Sequence, residues 1–84
     1  MLATDILNLA RQQPFVPFRL YLADGRTLEV RHPDMILVGV GSVTVGTPDP
    51  ANPRLYSGVR YVDMMQIVSL EPLPRAMAAQ GGTP

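Results

Sequence analysis

The chain contains a single histidine, His32, in the stretch RTLEVRHPDMI, where Pro33 and Asp34 follow it. An imidazole with a carboxylate close in sequence could relay a proton or contact a ligand. Catalysis and metal binding need more groups, because the chain has no cysteine and no serine in a nucleophile motif, and one histidine with scattered carboxylates makes a poor zinc site. We therefore predict no catalytic residue, no metal site and no cofactor.

The same residues also have a simpler interpretation as a bend in a strand. Pro33 cannot donate a hydrogen bond to a strand ladder, and Pro-Asp is common in turns. By continued alternation His32 shares a face with Leu28 and Val30, so we expect it to be the last inward-facing or rim residue before the bend. The bend is the preferred interpretation, and a ligand contact by His32 is the alternative.

A second candidate group consists of arginines near a tyrosine. The group is Arg19, Tyr21, Arg26 and Arg31, and arginines with an aromatic ring on one sheet face can bind phosphates and stack a base. Glu29 lies among them and cancels part of the charge. Ordinary charge pairing on an exposed strand face explains the same residues, so an RNA-binding surface is the weaker interpretation.

Composition narrows the classes of function. The 84 residues include seven arginines, no lysine and seven acidic residues, so the net charge is zero and long-range attraction for nucleic acid is absent. No apolar run approaches the length of a membrane span, and the N-terminal segment lacks the basic start of a signal peptide. We expect a cytoplasmic protein with no membrane partner. So short a chain without disulfides forms a small core, which favours association with copies of itself.

The N-terminal segment has the spacing of an amphipathic helix. The pattern predicts a helix over about residues 4–12, with Thr4 as its cap and Pro14 marking the end. Its apolar stripe must pack on the rest of the chain, because so short a helix barely forms alone in water. The stripe consists of Leu2, Ile6, Leu9 and Ala10.

The segment PFRLYLADGRTLEV alternates with period two and predicts a hairpin. A two-residue Asp-Gly turn would place Glu29 opposite Leu20, on the apolar face. A three-residue loop pairs Leu20 with Leu28 and also sets Arg19 opposite Glu29, a favourable charge pair. We therefore predict the three-residue loop, with Gly25 in the left-handed conformation.

The rest of the chain predicts further short strands in MILVGV, VTVGT, LYSGVRYVDM and MQIVSLEP. With the hairpin this makes about five antiparallel strands, the second long and bent, which cover a core well only if the sheet curls on itself. We predict a mostly β fold in which an N-terminal helix precedes a five-stranded, strongly bent antiparallel barrel. The barrel forms a single domain over residues 1–73, and residues 74–84 form a flexible tail.

The penultimate predicted strand has apolar residues on both faces. Tyr56, Arg60 and Val62 fall on one side, and Val59 and Tyr61 fall on the other. In so small a protein this pattern favours a partner, and another copy is the simplest one; internal core packing and RNA contact are the alternatives. The predicted subunit contacts are Tyr56, Arg60, Val62, Met64 and Val68.

The order of elements and two stretches resemble the Sm-like family of small β-barrels, in particular the bacterial Sm-like RNA chaperones. VPFRLYLADGRTLEV is similar to that family's first hairpin and VRYVDMMQIVSLEP to its last two strands. The resemblance implies a five-stranded SH3-like barrel that assembles into a ring through strand pairing between subunits. In those chaperones the matching tyrosine is followed by a lysine and a histidine that help to bind uridine-rich RNA. Here Val62 and Asp63 follow Tyr61, so only the tyrosine carries over.

The chain is also similar to short bacterial proteins with a PFxPFxIxLxDG…VxHP pattern, from which no activity can be carried over. Two functions are expected. The first is a non-catalytic Sm-like scaffold or interaction protein that forms a homo-oligomer, for which a ring is one expected arrangement. The second is an Sm-like protein that binds single-stranded RNA. The neutral charge and the missing pore cations favour the first. The predicted RNA contacts are Arg19, Tyr21, Arg31, Arg60 and Tyr61.

Overall fold

The computed structural model describes residues 2–73 and has one helix followed by six strands. The prediction of a mostly β fold with an N-terminal helix is confirmed. Short 3-10 turns occupy Pro33–Met35 and Met64–Gln66. The elements in chain order are α1 (Ala3–Ala10), β1 (Phe18–Leu22), β2 (Thr27–Val30), β3 (Ile36–Val38), β4 (Ser42–Pro48), β5 (Tyr56–Asp63) and β6 (Ile67–Pro72).

The strands form two antiparallel three-stranded sheets, in the orders β2-β1-β6 and β3-β4-β5. Within residues 2–73 strand pairing does not close them into one barrel, and there are six strands rather than the predicted five. The predicted long second strand is divided into β2 and β3. Pro33 is the reason, because it lacks the N–H that a continuing ladder needs and instead begins the 3-10 turn. The predicted bend is confirmed, and it moves the chain from one sheet to the other.

The β1–β2 hairpin has the predicted register. Leu20 pairs with Leu28, and Arg19 pairs with Glu29. The Gly25 N–H donates to the Leu22 carbonyl at 3.0 Å, and the Leu22 N–H donates to the Arg26 carbonyl at 2.9 Å. Gly25 has φ +92°, which a side chain would strain, so the three-residue loop and its left-handed glycine are both confirmed.

One apolar core lies between the two sheets and α1. The inner face of β1 supplies alternate residues, as the period-two pattern predicted. Val62 and Met64, which were predicted as subunit contacts, are buried in this core. The buried residues are Ile6, Ala10, Phe18, Leu20, Leu22, Leu28, Val30, Met35, Ile36, Val43, Val45, Val62, Met64 and Ile67.

The helix is shorter than predicted at its C-terminus and begins one residue earlier. The Asp5 N–H donates to the Leu2 carbonyl, which places Leu2 in the cap position, and no side chain caps the helix. The predicted Thr4 cap is therefore wrong. Ile6 and Ala10 are buried as expected, Leu9 packs against the core, and Leu2 is exposed. The predicted tail, residues 74–84, lies outside the described residues.

Candidate functional site

The predicted arginine and tyrosine face lies on the outer side of β1, β2 and β6. The Arg19 guanidinium donates through Nε (3.1 Å) and Nη2 to Oε2 of Glu29. Arg31 donates to the other oxygen, Oε1, at 2.6 Å. The Tyr21 hydroxyl donates to Glu71 Oε1 at 2.6 Å, which joins β1 to β6. These side chains form one connected network.

In this network the charges of the arginines are paired with a carboxylate of the same chain. The side-chain hydrogen bond with Tyr21 and that with Glu29 raise the pKa of Arg19. The hydrogen bonds from Arg19, and then from Arg31, lower the pKa of Glu29, so this carboxylate stays ionised. The surface therefore lacks the excess positive charge that attracts a phosphate backbone.

The structure does not bring the five predicted RNA contacts together. Arg19, Tyr21 and Arg31 lie at the β2-β1-β6 sheet, whereas Arg60 and Tyr61 lie on β5 of the other sheet. Neighbouring residues of a strand point to opposite faces, so Arg60 and Tyr61 face different ways. Arg60 pairs with Val45 on the core side and Tyr61 with Thr44 on the outer side.

A strip of exposed apolar side chains follows the outer strands β5 and β6 and the 3-10 turn between them. Tyr61 is 77% exposed and Met65 84%, and Val59 and Val68 are more than half exposed. We call these four residues the apolar strip. Of the predicted subunit contacts, Tyr56 and Val68 are exposed and Arg60 is half-buried. Sequence reasoning missed Met65, because alternation ends at the 3-10 turn.

Val68 is the extra residue of a β-bulge. β6 pairs Ser69 with Tyr21 and Ile67 with Leu22, which leaves Val68 without a partner on β1. A bulge of this kind redirects a side chain. Val68 and Ser69 are therefore both exposed in succession, while Ile67 is almost completely buried.

His32 caps the first 3-10 turn. Its Nδ1 accepts the Asp34 N–H at 3.2 Å and lies 3.6 Å from the Asp34 carboxylate. The side chain is exposed, so of the two expected positions for His32 the inward-facing one is wrong and the rim position stays a prediction. Arg31 and His32 are both exposed, because the alternation ends with β2 at Val30. Residues 2–73 contain no group of three or more His, Cys, Asp or Glu side chains that could hold a metal ion.

Residues of the described part of the chain also line two surface cavities. One, of about 590 Å³, lies between α1 and β6 and includes Asn8, Gln12 and Leu70. The other, of about 790 Å³, lies between the His32 turn and the loop that joins β4 to β5. Sequence reasoning found neither, because each brings together segments that are far apart in the chain.

Comparison with known proteins gives no match: no protein-family model, no curated protein and no solved structure is similar to this chain. In the part of the chain that the structure describes, no helix is long and apolar enough to cross a membrane.

Proposed function

We propose that this chain is a non-catalytic interaction module with Sm-like barrel architecture, and that its copies assemble through the outer strands β5 and β6. The observation that carries the proposal is the apolar strip, Val59, Tyr61, Met65 and Val68, which lies along these two strands and the turn between them. Large apolar side chains exposed along sheet edges are typical of interfaces.

The backbone of the two outer strands supports pairing between copies. β5 is bonded to β4 on one side and β6 to β1 on one side, and no other strand of residues 2–73 pairs with either. An open edge of this kind offers N–H and C=O groups to another strand. Neither edge carries a lysine, but β6 has a bulge at Val68 and ends at Pro72, so β5 is the more open of the two edges. Edge pairing would therefore add backbone hydrogen bonds to the burial of the strip.

The charge and size of the protein favour the same conclusion. A net charge of zero leaves no repulsion between copies. Fully burying a large apolar side chain is worth about 1.5–3 kcal/mol, so a strip of this size offsets much of the entropy lost on association. Arg60, half-buried on β5, has no carboxylate partner among residues 2–73, and a neighbouring copy could supply one.

Val68→Asp tests this proposal. Light scattering after size exclusion at micromolar concentration should give an oligomer for the unmodified chain and a monomer for Val68→Asp. A carboxylate buried without a partner in an apolar interface is unfavourable, so it should strongly weaken the affinity between copies. Val40→Asp is the matched control, since Val40 is almost fully exposed in the β3–β4 turn and is not one of the four residues of the strip. A monomeric unmodified chain, or an oligomer that tolerates Val68→Asp, contradicts the proposal.

The alternative is an Sm-like protein that binds single-stranded RNA. The exposed ring of Tyr61 favours it, because a base can stack there. The pairing of Arg19 and Arg31 with Glu29 weighs against it. Fluorescence anisotropy with short uridine- or adenine-rich RNA distinguishes the two functions, since RNA binding must be salt-sensitive. Absence of binding at low salt excludes this alternative.

A further inference from the structure

The larger cavity lies between two segments that are distant in sequence. One wall is the end of β2 and the first 3-10 turn, and the other is the loop of residues 49–55, here called the proline loop, with the strand ends beside it. Its volume of about 790 Å³ falls in the range of small-molecule sites, about 300–1,000 Å³. The lining residues used below are Glu29, Arg31, His32, Asp34, Arg54 and Tyr56.

Internal hydrogen bonds hold the proline loop in place. The Asp49 carboxylate accepts the N–H groups of Ala51 and Asn52, both at 3.0 Å. The Asn52 side chain accepts the Arg54 N–H at 3.2 Å, and the Asp49 and Leu55 backbones bond at 2.9 Å. The wall that carries Arg54 is therefore formed before any ligand arrives, which lowers the entropy cost of binding.

Tyr56 supplies an ordered aromatic surface. Its ring lies against β4, where a side chain at Gly46 would approach the ring atoms to 3.0–3.3 Å. Gly46 thus leaves room for the ring. Tyr56 remains 44% exposed and lines the cavity, so part of the ring is open to a ligand.

The guanidinium groups of the cavity retain free donors. Arg54 has no side-chain partner among residues 2–73. Arg31 gives one Nη2 bond to Glu29, which leaves most of its five N–H donors available. A ligand with acceptor oxygens could satisfy both.

The two carboxylates of the cavity oppose an anion only weakly. Both oxygens of Glu29 already accept bonds from Arg19 and Arg31. Asp34 has 81% of its side chain exposed and lies 3.6 Å from His32 Nδ1, so water screens its charge.

We propose that this cavity binds a small molecule in which a flat ring carries an oxyanion, either a carboxylate or a phosphate. The ring packs on Tyr56, and the oxyanion accepts hydrogen bonds from Arg54 and Arg31. This site goes beyond the assembly through β5 and β6, with which it shares only Tyr56, the first residue of β5.

NMR titration of the ¹⁵N-labelled protein tests the site with four probes. Benzoate and phenyl phosphate combine the ring with the charge and separate the two oxyanions. Benzyl alcohol has the ring alone, and acetate has the charge alone. At millimolar concentration benzoate or phenyl phosphate should shift the amide signals of Arg31, His32, Arg54 and Tyr56 in a saturable way. The single-feature probes should bind about tenfold more weakly or not at all, because each lacks one set of contacts.

Arg54→Gln should weaken binding of the better probe about tenfold, since it removes a charge-assisted hydrogen bond. Arg26→Gln is the matched control, because Arg26 pairs with Asp24 in the hairpin loop and does not line the cavity. The proposal is overturned if neither ring-bearing anion gives saturable shifts at the cavity, or if both variants bind alike. The titration is repeated on Val68→Asp, which is expected to be monomeric. Unchanged binding in this variant would show that the cavity binds the probe whether or not copies assemble.

Discussion

At the scale of single residues, Glu29 decides what the arginine face can do. Its two oxygens each accept a hydrogen bond from a different arginine, Arg19 and Arg31. Local alternation had placed these residues together, and the hairpin register had set Arg19 opposite Glu29. The outcome of that pairing is a neutral network in which Arg19 and Tyr21 join neighbouring strands, whereas Arg31 bonds Glu29 on its own segment and keeps further donors. Unpaired guanidinium groups lie elsewhere, at Arg54 and Arg60.

The lowered pKa of Glu29 leads to a prediction about acid stability. A carboxyl whose pKa is depressed in the folded state stabilises that state above its ordinary pKa of 4.5 and loses the contribution as the pH falls through the lowered value. In urea unfolding between neutral and acidic pH, the free energy of unfolding should fall on the acid side.

Glu29→Gln should reduce that acid-side slope and lower stability at neutral pH, because the two arginines lose their partner. Part of the acid-side slope should remain in this variant, because the hydrogen bond from the Arg26 N–H lowers the pKa of Asp24 as well. Asp34→Asn, which lies outside the network, serves as the control. An unchanged slope in Glu29→Gln would show that Glu29 does not contribute.

At the scale of elements, two residues with special backbone properties organise the strands. Gly25 allows the loop that sets the β1–β2 register, and Pro33 ends β2 and starts the turn toward β3. Both effects depend on the residue itself, which is why each was visible in the sequence. The burial of Val62 was not, because it depends on the pairing of β5 with Val43 on β4.

Gly25→Ala tests the role of the hairpin loop. No atom lies within 4 Å of the added carbon, so the expected loss of about 1 kcal/mol comes from the positive φ alone. Gly25→Asn should lose less, because asparagine tolerates this conformation. Gly41→Ala is the control, since it also meets no atom and has no positive φ. Equal stability of the two alanine variants in thermal unfolding would argue against this explanation.

At the scale of the whole molecule, a small core and open sheet edges link stability to association. Two three-stranded sheets and one short helix share the core, and two of the outer strands carry the apolar strip. If copies assemble through that strip, Tm should rise with protein concentration. The rise should persist in Val40→Asp and disappear in Val68→Asp. A concentration-independent Tm in all three proteins would contradict assembly.

The sequence by itself determined the features that depend on neighbouring residues: the helix, the hairpin register, the left-handed Gly25 and the bend at Pro33. Periodicity and backbone restrictions act over a few residues, so they can be read without the fold. The tertiary structure alone decided the division into two sheets, the burial of Val62 and Met64, the outward position of His32 and the bond between Tyr21 and Glu71. These features depend on contacts between distant segments, and so does the cavity that joins the His32 turn to the proline loop.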